Sequence, residues 1–190
     1  MKPLKYILLL GIVILFNCDE LKDALPNEID ITTTYVNTIN VSTPLISGDP
    51  EADVSFQDAA AFDFLNNPDV AEYVGTPEQI KAIQILNIQY EYKNFSGNVD
   101  AESLNSFFAI ATAFMAVDTF PVANTNFAES DAFGTLFTVT GDFSNVNEFI
   151  SESKVFSSVY GGTSTHNPAD FSVEMTITVR LTLEVNPDDL

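Results

Sequence analysis

Phe171-Ser172-Val173-Glu174-Met175-Thr176-Ile177-Thr178-Val179-Arg180-Leu181-Thr182-Leu183-Glu184-Val185 decides the fold class. Apolar side chains occupy every second position of this run, and Ser, Thr, Glu and Arg fill the places between them. Successive side chains of a strand point to opposite faces, so a period of two predicts a long β-strand with one buried and one wet face.

The same period recurs upstream in weaker form. Ile29, Ile31, Thr33, Tyr35, Ile39 and Val41 share one phase. Between Ile83 and Tyr92 the apolar side switches from Ile83 and Ile85 to Leu86, Ile88, Tyr90 and Tyr92, a change of phase that predicts a β-bulge. Val54 with Phe56, Leu136 to Val139 and Val155 to Tyr160 supply shorter strands. Gly161-Gly162 and the stretch from Thr163 to Pro168 read as a loop into the last strand. Leu104 to Val117 fits either period. Leu104, Phe107, Phe108, Ala111 and Met115 suit a helix, whereas Phe108, Ile110 and Phe114 alternate with alanines. With strands on both sides it is taken as a strand. Two short helices are expected. One is capped by Asn67, with Pro68 at its first position and Gly75 beyond its end. The other starts at Asp142 or Ser144 and turns Val146, Phe149 and Ile150 to one side. The expected architecture is all-β, a mainly antiparallel two-sheet β-sandwich with one or two short helices in its connections.

The first eighteen residues have a different character. Lys2 and Lys5 precede the apolar run Tyr6–Phe16, broken only by Gly11 and ending at Cys18, the only cysteine of the chain. Eleven residues are too few to span a bilayer, which takes about 20, so the run reads as a signal segment. Leu15-Phe16-Asn17-Cys18 resembles a loose lipobox, the site where a diacylglycerol is attached to the cysteine sulfur and the chain is cut before it. Asn17 departs from the small residue usual at its position. Asp19, Glu20, Lys22 and Asp23 resemble the acidic stretch that follows the cysteine in cell-surface lipoproteins of the Bacteroidota. The resemblance implies lipid attachment at Cys18 and an outer-membrane location, either at the cell surface or on the periplasmic face. It divides the chain into a signal peptide (1–17), an acidic tether (18–28) and a single sandwich domain (29–190).

The mature chain of 173 residues is long enough to bury a core without disulfides and would keep no cysteine besides Cys18. Hydrophobic residues make up 46% of the sequence and sixteen are Phe, which argues for a folded domain despite the acidity. Beyond residue 17, five basic residues face 27 acidic ones, a net charge of −22. Affinity for phosphate needs clustered Lys and Arg, so no nucleic-acid partner is expected.

Recognisable catalytic machinery is lacking. His166 is the sole histidine and sits in a Gly, Ser, Thr, Asn and Pro run typical of an exposed loop. There is no phosphate-cradling loop, no zinc-type cluster and no dinucleotide fingerprint. No cofactor, metal ligand or catalytic residue is assigned, and the chain is read as a non-enzyme. Tyr90 and Tyr92 share one strand face, expected to be core rather than a sugar-stacking platform. Asp49, Glu51 and Asp53, with Asp58 close behind, put carboxylates at alternate positions of the turn-rich stretch that opens at Gly48. They allow a calcium-dependent adhesin-like domain as an alternative, although the EF-hand spacing is absent. The abundance of acids also leaves a carboxylate-pair glycoside hydrolase open. The favoured reading is a lipid-anchored binding or structural module. Its partners would be the membrane, through the lipid on Cys18, and a surface protein or glycan.

Overall fold

The computed structural model describes residues 27–46, 49–111 and 116–184. Among them are eight strands: β1 (Glu28–Thr43), β2 (Val54–Asp63), β3 (Ile80–Gly97), β4 (Glu102–Ala111), β5 (Ala116–Pro121), β6 (Phe137–Thr138), β7 (Val155–Thr165) and β8 (Ala169–Glu184). They build two four-stranded antiparallel sheets, in the orders β1-β8-β3-β6 and β2-β7-β4-β5. This is the all-β two-sheet sandwich expected from the sequence. The strand order is that of a jelly roll. Three short helices lie in the connections, α1 (Pro68–Ala71), α2 (Phe127–Phe133) and α3 (Ser144–Ser153).

β8 lies between β1 and β3 and presents its apolar face to the other sheet. Phe171, Val173, Met175, Ile177, Val179, Leu181 and Leu183 are each at most 3% exposed. Full burial of such a side chain contributes about 1.5–3 kcal/mol. The register with β1 runs unbroken from Glu28 opposite Glu184 to Thr43 opposite Ala169. Val185 lies outside the described residues.

β3 carries the bulge that its change of phase predicts. Its register against β8 skips between Ile85 and Asn87, so Ile83 and Ile85 point inward before it and Ile88, Tyr90 and Tyr92 after it. Leu86 is the added residue. It stays 40% exposed instead of joining the buried face. On its far side β3 pairs with β6 only at Gln89 and Tyr90. α3 closes the edge beyond. The N–H groups of Ile83 and Ile85 donate to Ser151 Oγ and Asn147 Oδ1, both at 2.8 Å. Asn147 and Ser151 are four residues apart and share a helix face, which lets one helix satisfy an open sheet edge. Val146 and Ile150 anchor α3 in the core, with Phe149 half-buried beside them. α3 begins at Ser144. Asp142 Oδ1 accepts the Ser144 hydroxyl at 2.6 Å and its N–H at 2.9 Å, and these bonds lower the Asp142 carboxyl pKa.

The other connections depart from the sequence reading in three places. The helix expected before Gly75 is the single turn α1. Its cap is as expected, with Asn67 Oδ1 accepting the Asp69 N–H at 2.8 Å. Gly75 does not terminate it, and instead donates its N–H to Gln79 Oε1 at 2.7 Å. Gly161 and Gly162 are not a loop, because β7 runs through them to Thr165. The Phe107 ring lies on Gly161 so closely that a Cβ there would meet Phe107 Cζ at 2.7 Å; the glycine admits a neighbour rather than a turn. α2 was not anticipated at all. Residues 102–111 form a strand, as read, while 112–115 lie outside the described residues.

Truncating the centre of β8 tests this account. Ile177→Ala is expected to destabilise the fold by about 2–5 kcal/mol, while Thr176→Ala on the outer face changes it by less than about 0.5 kcal/mol. Urea midpoints measure both, and equal shifts would contradict the assignment of the inner face.

Candidate functional site

β1 and β2 are edge strands of their two sheets and run beside each other along one flank of the sandwich. The connection from Asp63 to Ile80 folds over this flank. Phe64, Val70 and Val74 pin it to the core, at 1%, 0% and 7% exposure. The Tyr35 ring meets Phe64 edge-on at 5.1 Å, and the Tyr35 hydroxyl donates to the Phe64 carbonyl at 3.3 Å. With its apolar side chains anchored, the connection turns Asp63, Asn66, Asn67, Asp69, Glu72 and Tyr73 outward along β1.

Thr33 bridges the two elements. Its hydroxyl donates to Asp69 Oδ2 at 3.1 Å and accepts from Asn67 Nδ2 at 3.3 Å. An open depression lies on each side of the bridge. One, of about 390 Å³, is lined by Ile31, Thr32, Thr33, Asp69, Glu72 and Tyr73. The other, of about 260 Å³, follows β1 from Thr34 to Asn37 and faces Ala61, Phe62, Asp63, Asn66 and Asn67. Asn37 Nδ2 donates to the Ala61 carbonyl at 2.7 Å and ties the two strand edges together there. No Lys, Arg or His lines either depression, so the field in the groove is negative. The buried Tyr35 phenol registers it. Its pKa is raised first by desolvation and then by the charges of Asp63 and Asp69. The groove therefore offers hydroxyl, amide and carboxylate groups and one exposed aromatic ring, that of Tyr73 at 43% exposure.

The residues singled out from the sequence lie elsewhere. Cys18, the signal segment and the tether up to residue 26 are outside the described residues. His166 is half-buried in the turn between β7 and β8 rather than exposed, and its Nδ1 is 3.1 Å from Thr165 Oγ1. That turn is held from inside. Thr43 Oγ1 donates to Asn167 Oδ1 at 2.6 Å, and Asn167 Nδ2 donates to the carbonyls of Ala52 and Ser164 at 2.8 and 3.0 Å. Asp49 Oδ1 accepts the Glu51 N–H at 3.0 Å, which spends that carboxylate on local turn structure. Asp58 is exposed on β2 and bonds its neighbour's Ala59 N–H. Gly48 lies outside the described residues. Among the described residues, no three His, Cys, Asp or Glu side chains are grouped to hold a metal ion.

Tyr90 and Tyr92 are core, as their strand face implies, at 1% and 0% exposure. The Tyr92 and Tyr160 hydroxyls are hydrogen-bonded at 2.6 Å inside a ring cluster with Phe56, Phe127 and Phe171. Sequence reasoning passed over the groove residues Thr33, Asp69, Glu72 and Tyr73. The Asn67-Pro68 helix start was visible, but nothing in the sequence says which strand that turn lies against.

No family model and no curated protein matches this chain. Among solved structures it is similar to a chain of the infectious bursal disease virus Gx strain, at 15% identity and a TM-score of 0.32. That match covers 83% of this chain and 36% of the viral one. A chain from Desmodium yellow mottle tymovirus is similar at 10% identity and a TM-score of 0.29, over 85% of each chain. Neither likeness carries an argument about function.

The buried tyrosines give a pH signature. Desolvation raises the phenols of Tyr35, Tyr90, Tyr92 and Tyr160 above their ordinary value of about 10. A group whose folded pKa is raised keeps its full contribution to stability below the unfolded pKa and loses it as pH climbs through the folded one. Stability is therefore expected to fall above about pH 10, with phenolate absorbance from these residues rising only as the β-sheet circular dichroism is lost. Phenolate from all four appearing in an intact fold would contradict the buried cluster.

Proposed function

We propose that this protein is a lipid-anchored, non-catalytic binding module of the outer membrane, held through Cys18 and displayed at the cell surface. The observation that carries the reading is the position of the sole cysteine, two residues after the apolar run Tyr6–Phe16, behind Lys2 and Lys5. Two further features support it. The segment from Cys18 to Glu28 is short and mostly polar, and β1 starts at its end. Eleven extended residues reach at most about 36–40 Å, so the sandwich stays close to its anchor. The outward surface of the sandwich carries the acidic excess, and its open groove presents hydrogen-bonding groups.

Because the groove starts at Ile31, three residues after the tether, it lies at the anchored end of β1. A module so placed captures a ligand near the membrane and holds it there for other surface proteins. Fatty-acid labelling and protease shaving of intact cells test the reading. The native chain is expected to be labelled and shaved, and Cys18→Ala to be unlabelled. An unlabelled native chain would overturn the anchor, and a labelled but protected one would overturn surface display in favour of the periplasmic face.

A further inference from the structure

We infer that the groove beside β1 binds a neutral, hydroxyl-rich glycan chain, seated on Tyr73 and hydrogen-bonded by Glu72 and the outer oxygen of Asp69. The inference rests on the binding-module reading above and names its ligand class. A pocket of about 390 Å³ falls within the range of small-ligand sites, and the second depression extends it along β1. Strand residues rise by about 3.3 Å each, so the pair of depressions spans more than one ring of a linear chain.

The site is partly preorganised. Thr33 holds Asp69 by Oδ2, which fixes the direction of Oδ1. Thr32, Asp69, Glu72 and Tyr73 are exposed in the lining of the larger depression. Carboxylates only accept, so their ligand must bring several donors, and adjacent hydroxyls on a sugar ring do. An anionic ligand would meet Asp63, Asp69 and Glu72 with no Lys or Arg to offset them. The second depression separates a polyol from a cationic partner. Thr34 and Asn66 carry groups that donate and accept, a match for hydroxyls rather than ammonium groups, while the Asn37 amide is taken up by the Ala61 carbonyl and the Thr38 N–H. The exposed Tyr73 ring supplies an apolar face for the C–H side of a sugar.

Affinity electrophoresis of the full-length protein in detergent, through gels containing neutral or anionic polysaccharides, tests this. At least one of xylan, galactomannan, starch or hydroxyethyl cellulose is expected to retard it, and alginate or polygalacturonate is not. Tyr73→Ala and Glu72→Ala are expected to weaken that retention about tenfold with an unchanged melting temperature. Phe133→Ala, which is 81% exposed and outside the groove lining, serves as a surface control and is expected to retain it. The proposal is overturned if no neutral polysaccharide retards the protein, if Tyr73→Ala binds like the native chain, or if polylysine is the ligand retained in place of a glycan. None of these outcomes alters lipid labelling at Cys18, so failure of the ligand assignment is separable from failure of the anchor.

Discussion

Burial of one face of β8 is the constraint on which the rest of this sandwich depends. The strand has its hydrogen-bonding capacity taken up by β1 on one side and β3 on the other, and its eight inward side chains are sealed by the second sheet. Because side chains alternate strictly, a slip of one residue would expose that whole row. The register of β1 and β3 is therefore fixed by β8, and the first and last strands of the fold lie side by side. Pairing residues 126 to 156 positions apart is entropically costly to initiate. The apolar row supplies the gain that offsets it.

A sheet so constrained still has to end somewhere, and its two edges are handled differently. At the β3 edge, β6 provides only two paired residues and α3 completes the work with Asn147 and Ser151. At the β1 edge, the segment after β2 folds over the flank and is tied down by Thr33 and the Tyr35–Phe64 contact, while Asn37 ties β1 to β2. The first solution leaves little open surface. The second leaves a groove, because a one-turn helix cannot cover a strand of sixteen residues. Polar side chains that secure the segment at one oxygen keep the other turned to solvent, as Asp69 does.

The aromatic interior explains how a chain with so many acids stays folded. Tyr90, Tyr92, Tyr160, Phe108, Phe127 and Phe171 interlock between the two sheets at edge, tilted and stacked angles, with the Tyr92–Tyr160 hydrogen bond pairing two of the three hydroxyls they bury. Charge is kept to the outside. Lys93 is flanked by Glu91 and Glu174 on the outer face of the β3–β8 pair, and their hydrogen bonds hold its ammonium charged. Exposed pairs of this kind contribute little to stability, and the core carries the fold.

The sequence by itself determined the fold class, since strict alternation over Phe171–Leu183 and its echoes in β1 and β3 admit only half-buried strands. It also determined the bulge in β3, because a change of phase in an apolar row has one structural remedy. The helix α2 has sequence signals too: Asn126 caps it, Glu129 follows three residues on, and Gly134 closes it in a left-handed conformation. Gly161 reads as a turn and is strand, because a glycine required by a neighbouring ring looks the same in sequence as one required by a turn. The jelly-roll order and the groove were decided only by the tertiary structure. Alternation says which face of a strand is buried, not which strand lies next to it. Thr33 and Asp69 meet only because the segment after β2 folds over the edge of β1, across 36 residues of chain.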